Sequence, residues 1–176
     1  MAYEYYMELA LEQAQKAFDK GEFPVGCVIV QTGKVIASGA RKGTTQDKPI
    51  FSEIDHAEMR ALKYLETIDT QFEPEKSILF STMEPCLMCF GAIILSGIKK
   101  IVYAYEDPMG GGTTCDLKKL PSLYQKCGIA IVPGVLRQKS LDLFYNFFNK
   151  EDNLYWKNSY LETYTRDQKR EQIHNK

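Results

Sequence analysis

Two short segments place one histidine, one glutamate and two cysteines in an order that suits a single metal ion. The first is HAE at residues 56–58, and the second is PCLMC at residues 85–89. Zinc binds imidazole nitrogen and cysteine sulfur, and a catalytic zinc uses three protein ligands and leaves its fourth position to water. His56, Cys86 and Cys89 supply three such ligands, and Glu58 can carry a proton for that water. The chain must therefore fold so that both segments meet.

Both segments have the features of a helix N-terminus. Cys86 and Cys89 are three residues apart, so on a helix both sulfur atoms lie on one face. Pro85 suits the first turn of that helix because proline has no amide hydrogen to leave unpaired. Asp55 has the residue type of an N-cap, and the apolar spacing after it predicts a second helix. Two helix dipoles would then favour anions at one point.

A Cys-x-x-Cys pair could also be redox-active, or it could be half of a structural zinc site. A structural site needs a fourth protein ligand, and the remaining candidates are Cys27, Cys115, Cys127 and His174. Cys27 lies in an apolar run that predicts a core strand. The other two cysteines have no paired neighbour, and His174 lies in a charged tail. The sequence therefore favours a catalytic site.

Periodicity predicts an alternation of strands and helices. Apolar residues at three- and four-residue steps predict helices over 7–18, 55–65, 85–96 and 141–148. Short apolar runs predict strands over 25–30, 34–39, 77–82, 98–105 and 129–132. This order indicates an α/β protein with a central mixed sheet.

The composition of the chain indicates its cellular compartment and the partners that its charge can attract. A chain of 176 residues with 44% apolar content has the size of one domain with a buried core. The formal net charge is −1, so no overall basic field attracts nucleic acid. The cysteines indicate reduced thiols and a metal rather than a disulfide framework. A signal-peptide pattern and a membrane-length apolar run are both missing from the sequence, which predicts a cytoplasmic protein.

An H-x-E segment followed by P-C-x-x-C is the signature of zinc-dependent nucleobase deaminases. The chain resembles the cytidine and deoxycytidylate deaminase superfamily, and within it the branch of tRNA adenosine deaminases and their guanine- and cytosine-deaminase relatives. The resemblance is carried by segments 23–28, 55–59 and 81–89, with a weaker likeness at 134–136 and 143–148. It implies a three-layer cytidine-deaminase-like fold with helices on both faces of the sheet, Zn²⁺ as cofactor and a homodimer.

The resemblance also assigns parts of the chain. It implies a deaminase domain over 1–150, with a C-terminal helical extension or tail over 151–176. It implies that Glu58 is the catalytic proton carrier, that His56, Cys86 and Cys89 hold zinc, and that the base is contacted by Val25, Ala57, Glu84 and Pro85.

One position departs from the family pattern. Family members often carry an asparagine after the second strand that contacts the base, but residues 39–43 here read GARKG. Arg41 is therefore the candidate for that contact.

The resemblance implies a hydrolase that acts on a cyclic amidine C–N bond, with adenosine in tRNA as the first candidate substrate. An adenosine in RNA must leave its stack to reach the metal, and basic residues should surround the pocket; the candidates are Arg41, Lys42, Lys48, Lys99, Lys100, Lys118 and Lys119. One alternative is a free base or nucleoside of guanine or cytosine, bound in a closed pocket under the aromatic C-terminus. Another is a catalytically idle zinc-binding subunit, against which the presence of Glu58 argues.

Three further segments invite a structural interpretation. The helix over 85–96 is apolar nearly all round, which favours a subunit interface over simple burial. The aromatic residues between 144 and 164 are expected to pack helices, and the alternative is a stacking surface for a base. The glycine triplet 110–112 lacks the residues of a phosphate loop and is expected to be flexible.

Overall fold

Five strands form one mixed sheet in a computed structural model that describes residues 3–45, 51–68 and 71–174. They are β1 (Gly26–Gln31), β2 (Lys34–Ala40), β3 (Ser77–Met83), β4 (Lys100–Tyr105) and β5 (Ala130–Val132). The spatial order is β2-β1-β3-β4-β5. β1 is antiparallel to β2 and β3, whereas β4 is parallel to β3 and β5. The predicted α/β class with a mixed sheet is confirmed.

Helices cover both faces of this sheet. They are α1 (Tyr3–Asp19), α2 (Ala57–Leu65), α3 (Leu87–Leu95), α4 (Ser122–Gln125), α5 (Arg137–Phe148) and α6 (Tyr160–His174). Alternate residues of a strand point to opposite faces, so Val28 and Val30 pack with α1 while Cys27 and Ile29 pack with α2 and α3. The predicted three layers are confirmed. In the described part of the chain, none of these helices is long and apolar enough to cross a membrane.

Two glycines let helices lie directly on the strands. A Cβ at Gly26 would stand 2.2 Å from the carbonyl oxygen of Ala10 in α1. A Cβ at Gly39 would stand 2.0 Å from the carbonyl oxygen of Ala57, the first residue of α2. Any side chain there would push the helix away. Gly39 therefore allows the N-terminus of α2 to pack in direct contact with β2.

The C-terminal helices are tied to the same end of the sheet. In α5, the rings of Phe144 and Phe147 lie with centroids 5.1 and 5.4 Å from that of Phe23. In α6, the buried Thr165 exchanges a hydrogen bond of 3.0 Å with the hydroxyl of Tyr105 in β4. The segment between these helices is consequently anchored at both ends, next to the end of β3.

Candidate metal centre and pocket

The two predicted segments both stand at helix N-termini. His56 is the N-cap of α2, with φ −69° and ψ 155°, and Cys86 is the N-cap of α3, with φ −66° and ψ 170°. The expected cap, Asp55, instead pairs with Arg60 at 3.0 Å. Pro85 precedes the cap rather than lying in the first turn. Each helix thus begins slightly later than predicted. As a result, a candidate zinc ligand is the N-cap residue of each helix: His56 for α2 and Cys86 for α3.

The structure brings His56, Cys86 and Cys89 together. The Nδ1 atom of His56 lies 3.6 Å from Sγ of Cys86 and 3.4 Å from Sγ of Cys89. The ligand atoms all lie within 4.8 Å of one another. One imidazole nitrogen and two sulfurs form the donor set that zinc prefers, so these residues fit the metal that the sequence implies.

The pKa values of the two thiols in the cluster are shifted in opposite directions. Two hydrogen bonds lower the pKa of the Cys86 thiol to about 4; the one with Cys89 has the larger effect and the one with His56 the smaller. Hydrogen bonding to Cys86 and burial raise the pKa of the Cys89 thiol. Because Cys86 stands at the N-terminus of α3, the helix dipole acts in the same direction on its thiolate. A thiolate is the form that binds a metal.

Glu58 lies beside this cluster and is 3% exposed. Its Oε1 accepts a hydrogen bond of 2.9 Å from Oγ of Ser81, and its Oε2 lies 3.6 Å from Sγ of Cys89. Burial is the main cause that raises the pKa of Glu58. A carboxyl group beside a candidate metal site can act as a general base and then as a general acid.

A cavity of about 230 Å³ opens onto the cluster. Of the residues predicted to contact the base, Val25, Ala57, Glu84 and Arg41 line it, and Pro85 does not. The cavity also contains Asp107, Met109, Tyr155 and Trp156 in its lining. No sequence signal marked Asp107 or Met109, because they belong to a loop that reaches the site only through the packing of β4.

Glu84 holds that loop in place. Its Oε2 accepts from the backbone N–H of Asp107 at 3.2 Å, and its Oε1 accepts from Oγ1 of Thr113 at 2.5 Å. A Cβ at Gly111 would stand 2.5 Å from the Glu84 carboxyl group, and one at Gly112 would stand 2.6 Å from the backbone of Leu87 in α3. The glycine triplet, which the sequence predicts to be flexible, packs closely against Glu84 and α3 in this structure. The glycines allow the loop to pack directly on the N-terminus of α3.

Arg41 is buried, with a 3% exposed surface, and its guanidinium is largely paired. It donates to the carbonyl oxygens of Lys42 at 3.0 Å and Ser52 at 2.8 Å, and it lies 3.6 Å from Oε2 of Glu53. Among the described residues predicted to attract RNA, Arg41 alone lines the cavity, and Lys48 lies outside the described residues.

Five residues of the aromatic C-terminus fall into two groups. Phe144, Phe147 and Phe148 belong to the buried core, as expected for helix packing. Tyr155 and Trp156, from the segment between α5 and α6, line the cavity instead. All five residues are aromatic and lie near the C-terminus, and their aromatic character alone does not separate the core group from the cavity group.

One histidine and two cysteines lie at the N-termini of two helices that pack on a mixed sheet. This arrangement defines the class of zinc-dependent α/β deaminases. The family model of the cytidine and deoxycytidylate deaminase zinc-binding region matches residues 1–105. The chain belongs to this family.

The similarity to known proteins extends beyond residues 1–105. The chain is 35% identical over 153 residues to a tRNA-specific adenosine deaminase of Bacillus subtilis, covering 84% of this chain and 89% of the relative. A solved structure from work on A-to-I editing by tRNA:A34 deaminases has a TM-score of 0.65 and 28% identity, covering 79% of this chain and 98% of that one. The guanine deaminase of Nitrosomonas europaea shares the fold, with a TM-score of 0.64 at 24% identity over 82% of this chain and 83% of that one.

Proposed function

We propose that this protein is a zinc-dependent hydrolytic deaminase that converts adenosine in tRNA to inosine. The observation that carries the proposal is the joint placement of the His56–Cys86–Cys89 cluster and the buried Glu58 on one cavity. His56, Cys86 and Cys89 would hold the metal. When bound, zinc acts as a Lewis acid that lowers the pKa of a water ligand to about 7.

Glu58 moves the protons of the reaction. Hydrolytic deamination adds water to the ring carbon that bears the amino group and releases ammonia, so protons must pass from water to the ring nitrogen and the leaving amine. Oε1 of Glu58 is occupied by its hydrogen bond from Ser81, and Oε2 lies 3.6 Å from Sγ of Cys89. Oε2 therefore accepts the proton from the attacking water and returns it to the base.

The preference for tRNA rests on the relatives. The chain shares 35% identity over most of its length with a tRNA-specific adenosine deaminase. A cavity of about 230 Å³ suits one extruded base rather than a strand. The remainder of the RNA would lie across the surface around the cavity.

A free base is the second candidate, and two observations favour it. Tyr155 and Trp156 line the cavity, as a closed pocket under the C-terminus requires. The described charged residues of the lining are Glu53, Glu58, Glu84, Asp107, His56 and Arg41, so carboxylates outnumber cations there and a phosphate is not attracted.

Incubation of zinc-loaded protein with unmodified tRNA, and separately with adenine, guanine and cytosine, distinguishes the two candidates. We expect ammonia release and inosine in the tRNA, with binding that weakens steeply as salt is added. Rapid turnover of a free base with tRNA untouched would replace the first candidate by the second. Silence across the panel at full zinc occupancy, measured by elemental analysis, would contradict both and favour the idle subunit.

We also propose that the protein is a homodimer that pairs through α3. Leu87 and Leu95 are each 63% exposed, and a Cβ at Gly91 would meet open space, so an apolar stripe runs along the outer face of this helix. A stripe of this kind on a helix that carries metal ligands is suited to a symmetric contact with a second copy.

Sedimentation of the zinc-loaded protein tests the dimer. We expect a dimer for the wild type and a monomer for Leu95→Glu, because a carboxylate within an apolar interface is costly to desolvate. Leu123→Glu, at a 59% exposed leucine on α4, is the matched control and should stay dimeric. A wild-type monomer at high concentration would contradict the proposal.

A further inference from the structure

A tryptophan with an unusual backbone conformation lines the cavity. Trp156 has a φ of 54°, in the left-handed region that bulky residues rarely adopt. Four described non-glycine residues have a positive φ, and Trp156 is the one among them that lines this cavity. It is also 41% exposed, so burial in the core does not compensate the strain. Strain of this kind at a pocket points to a functional constraint.

Contacts on both sides hold Trp156 where it is. The hydroxyl of the preceding residue, Tyr155, donates to Oε2 of Glu53 at 2.9 Å, and the same oxygen lies 3.6 Å from Nη2 of Arg41. The Tyr155 ring lies with its centroid 5.3 Å from that of Phe23 and 5.8 Å from that of Trp156, nearly perpendicular to the indole. This Arg41–Glu53–Tyr155 cluster joins the C-terminal segment to the loop before α2.

The chain after Trp156 is fixed as well. The carbonyl oxygen of Trp156 accepts from the backbone N–H of Ser159 at 3.1 Å. The backbone N–H of Asn158 donates to Oε2 of Glu162 in α6 at 2.6 Å. The turn that carries the indole is therefore closed on α6, which is itself anchored to the sheet through Leu161 and Thr165, both buried.

We propose that Trp156 is a specificity-determining residue, on whose indole the planar base of the substrate stacks, and that the Arg41–Glu53–Tyr155 cluster positions it. An aromatic ring that lines a cavity beside a metal site offers a flat apolar surface, and stacking accepts any planar heteroaromatic ring. This inference rests on the proposed function only in taking a nucleobase as the ligand, whether free or in RNA.

Fluorescence provides a direct test, because Trp156 is the single tryptophan of the chain. Zinc-loaded Glu58→Gln protein, which should bind without turnover, is titrated with adenine, guanine, cytosine and tRNA while calorimetry records binding. We expect each probe that binds to change the tryptophan emission saturably, with the midpoint that calorimetry gives. Binding of every such probe without a change in emission would overturn the proposal.

Kinetics provide a second test. Loss of one stacked base corresponds to roughly 5- to 150-fold in affinity. We expect Trp156→Ala to raise KM by such a factor with a smaller effect on kcat, since stacking acts on substrate and transition state alike. Trp156→Phe should recover most of the loss, and Tyr155→Phe, which removes only the hydroxyl contact with Glu53, should raise KM less than Trp156→Ala does.

Leu154→Ala is the matched control, because Leu154 is 54% exposed in the same segment and does not line this cavity. Its KM should equal that of the wild type. An unchanged KM in Trp156→Ala, or a phenylalanine variant no better than the alanine variant, would contradict the stacking role. Quenching in the Glu58→Gln protein, together with no deamination of any probe by the zinc-loaded wild type, would leave the stacking role intact and refute the proposed function instead, so the two failures are distinguishable.

Discussion

Glu58→Gln is expected to keep the zinc content and the fold of the wild type while turnover falls by roughly 10²–10⁴ or more. The amide has the shape of the carboxyl group, so the buried site beside Ser81 and Cys89 stays filled and no cavity opens. An amide cannot take up the proton of water and return it to the base. Single-turnover rates, elemental analysis and thermal unfolding measure the three properties.

Glu12→Gln is the control for this substitution, since Glu12 is an exposed residue on α1. It should behave as the wild type does in all three measurements. A Glu58→Gln enzyme with nearly full activity would show that another group carries the proton. Asp107 would be the next residue to substitute, because it lines the same cavity and burial raises the pKa of its carboxyl group.

Cys89→Ser is expected to lose the zinc and, with it, all measurable activity. Cys89 is fully buried in the first turn of α3, and its Sγ lies 3.4 Å from Nδ1 of His56. A serine hydroxyl is a poor zinc ligand in place of a thiolate, so only two protein ligands would remain. Cys86→Ser should have the same consequence, because Cys86 supplies the other sulfur.

The loss of zinc should also be visible in stability. A metal that binds only the native chain raises the unfolding temperature, so added zinc should stabilise the wild type and not Cys89→Ser. Cys127→Ser is the matched control. Its thiol donates to the carbonyl oxygen of Leu123 at 3.1 Å, a contact that a hydroxyl can keep, and it lies outside the metal cluster. Stoichiometric zinc in Cys89→Ser would refute the assigned ligand set.

Much of the fold was predictable because its signals are local. Strand residues alternate between the two faces of the sheet, and the apolar runs predicted every strand of the described sheet to within a few residues. The starts of α2 and α3 were predicted slightly too early. The carboxylate of Asp55 pairs with Arg60 and does not cap the helix, a choice that the sequence alone does not reveal.

Local sequence signals do not tell which aromatic residues near the C-terminus are buried in the core and which line the cavity. Phe148 and Tyr155 are both aromatic residues near the chain end, yet Phe148 is buried in the core and Tyr155 faces the cavity with its hydroxyl on Glu53. The difference arises because the segment between α5 and α6 returns to the cavity. That return is set by contacts such as the one between Thr165 and Tyr105, which are distant in sequence.

By itself, the sequence singled out His56, Cys86 and Cys89 as a candidate donor set, Glu58 as a candidate proton carrier and an alternation of strands and helices. The spacings within H-x-E and C-x-x-C and the periodicity of each element are local, and they follow from helix or strand geometry. The meeting of His56 with Cys86, 30 positions later, is not local. Only the tertiary structure decided what surrounds the candidate metal cluster: the loop that Glu84 holds over α3, the buried guanidinium of Arg41 and the strained Trp156. These groups come from four separate parts of the chain. Their meeting is a property of long-range packing, which no local pattern encodes.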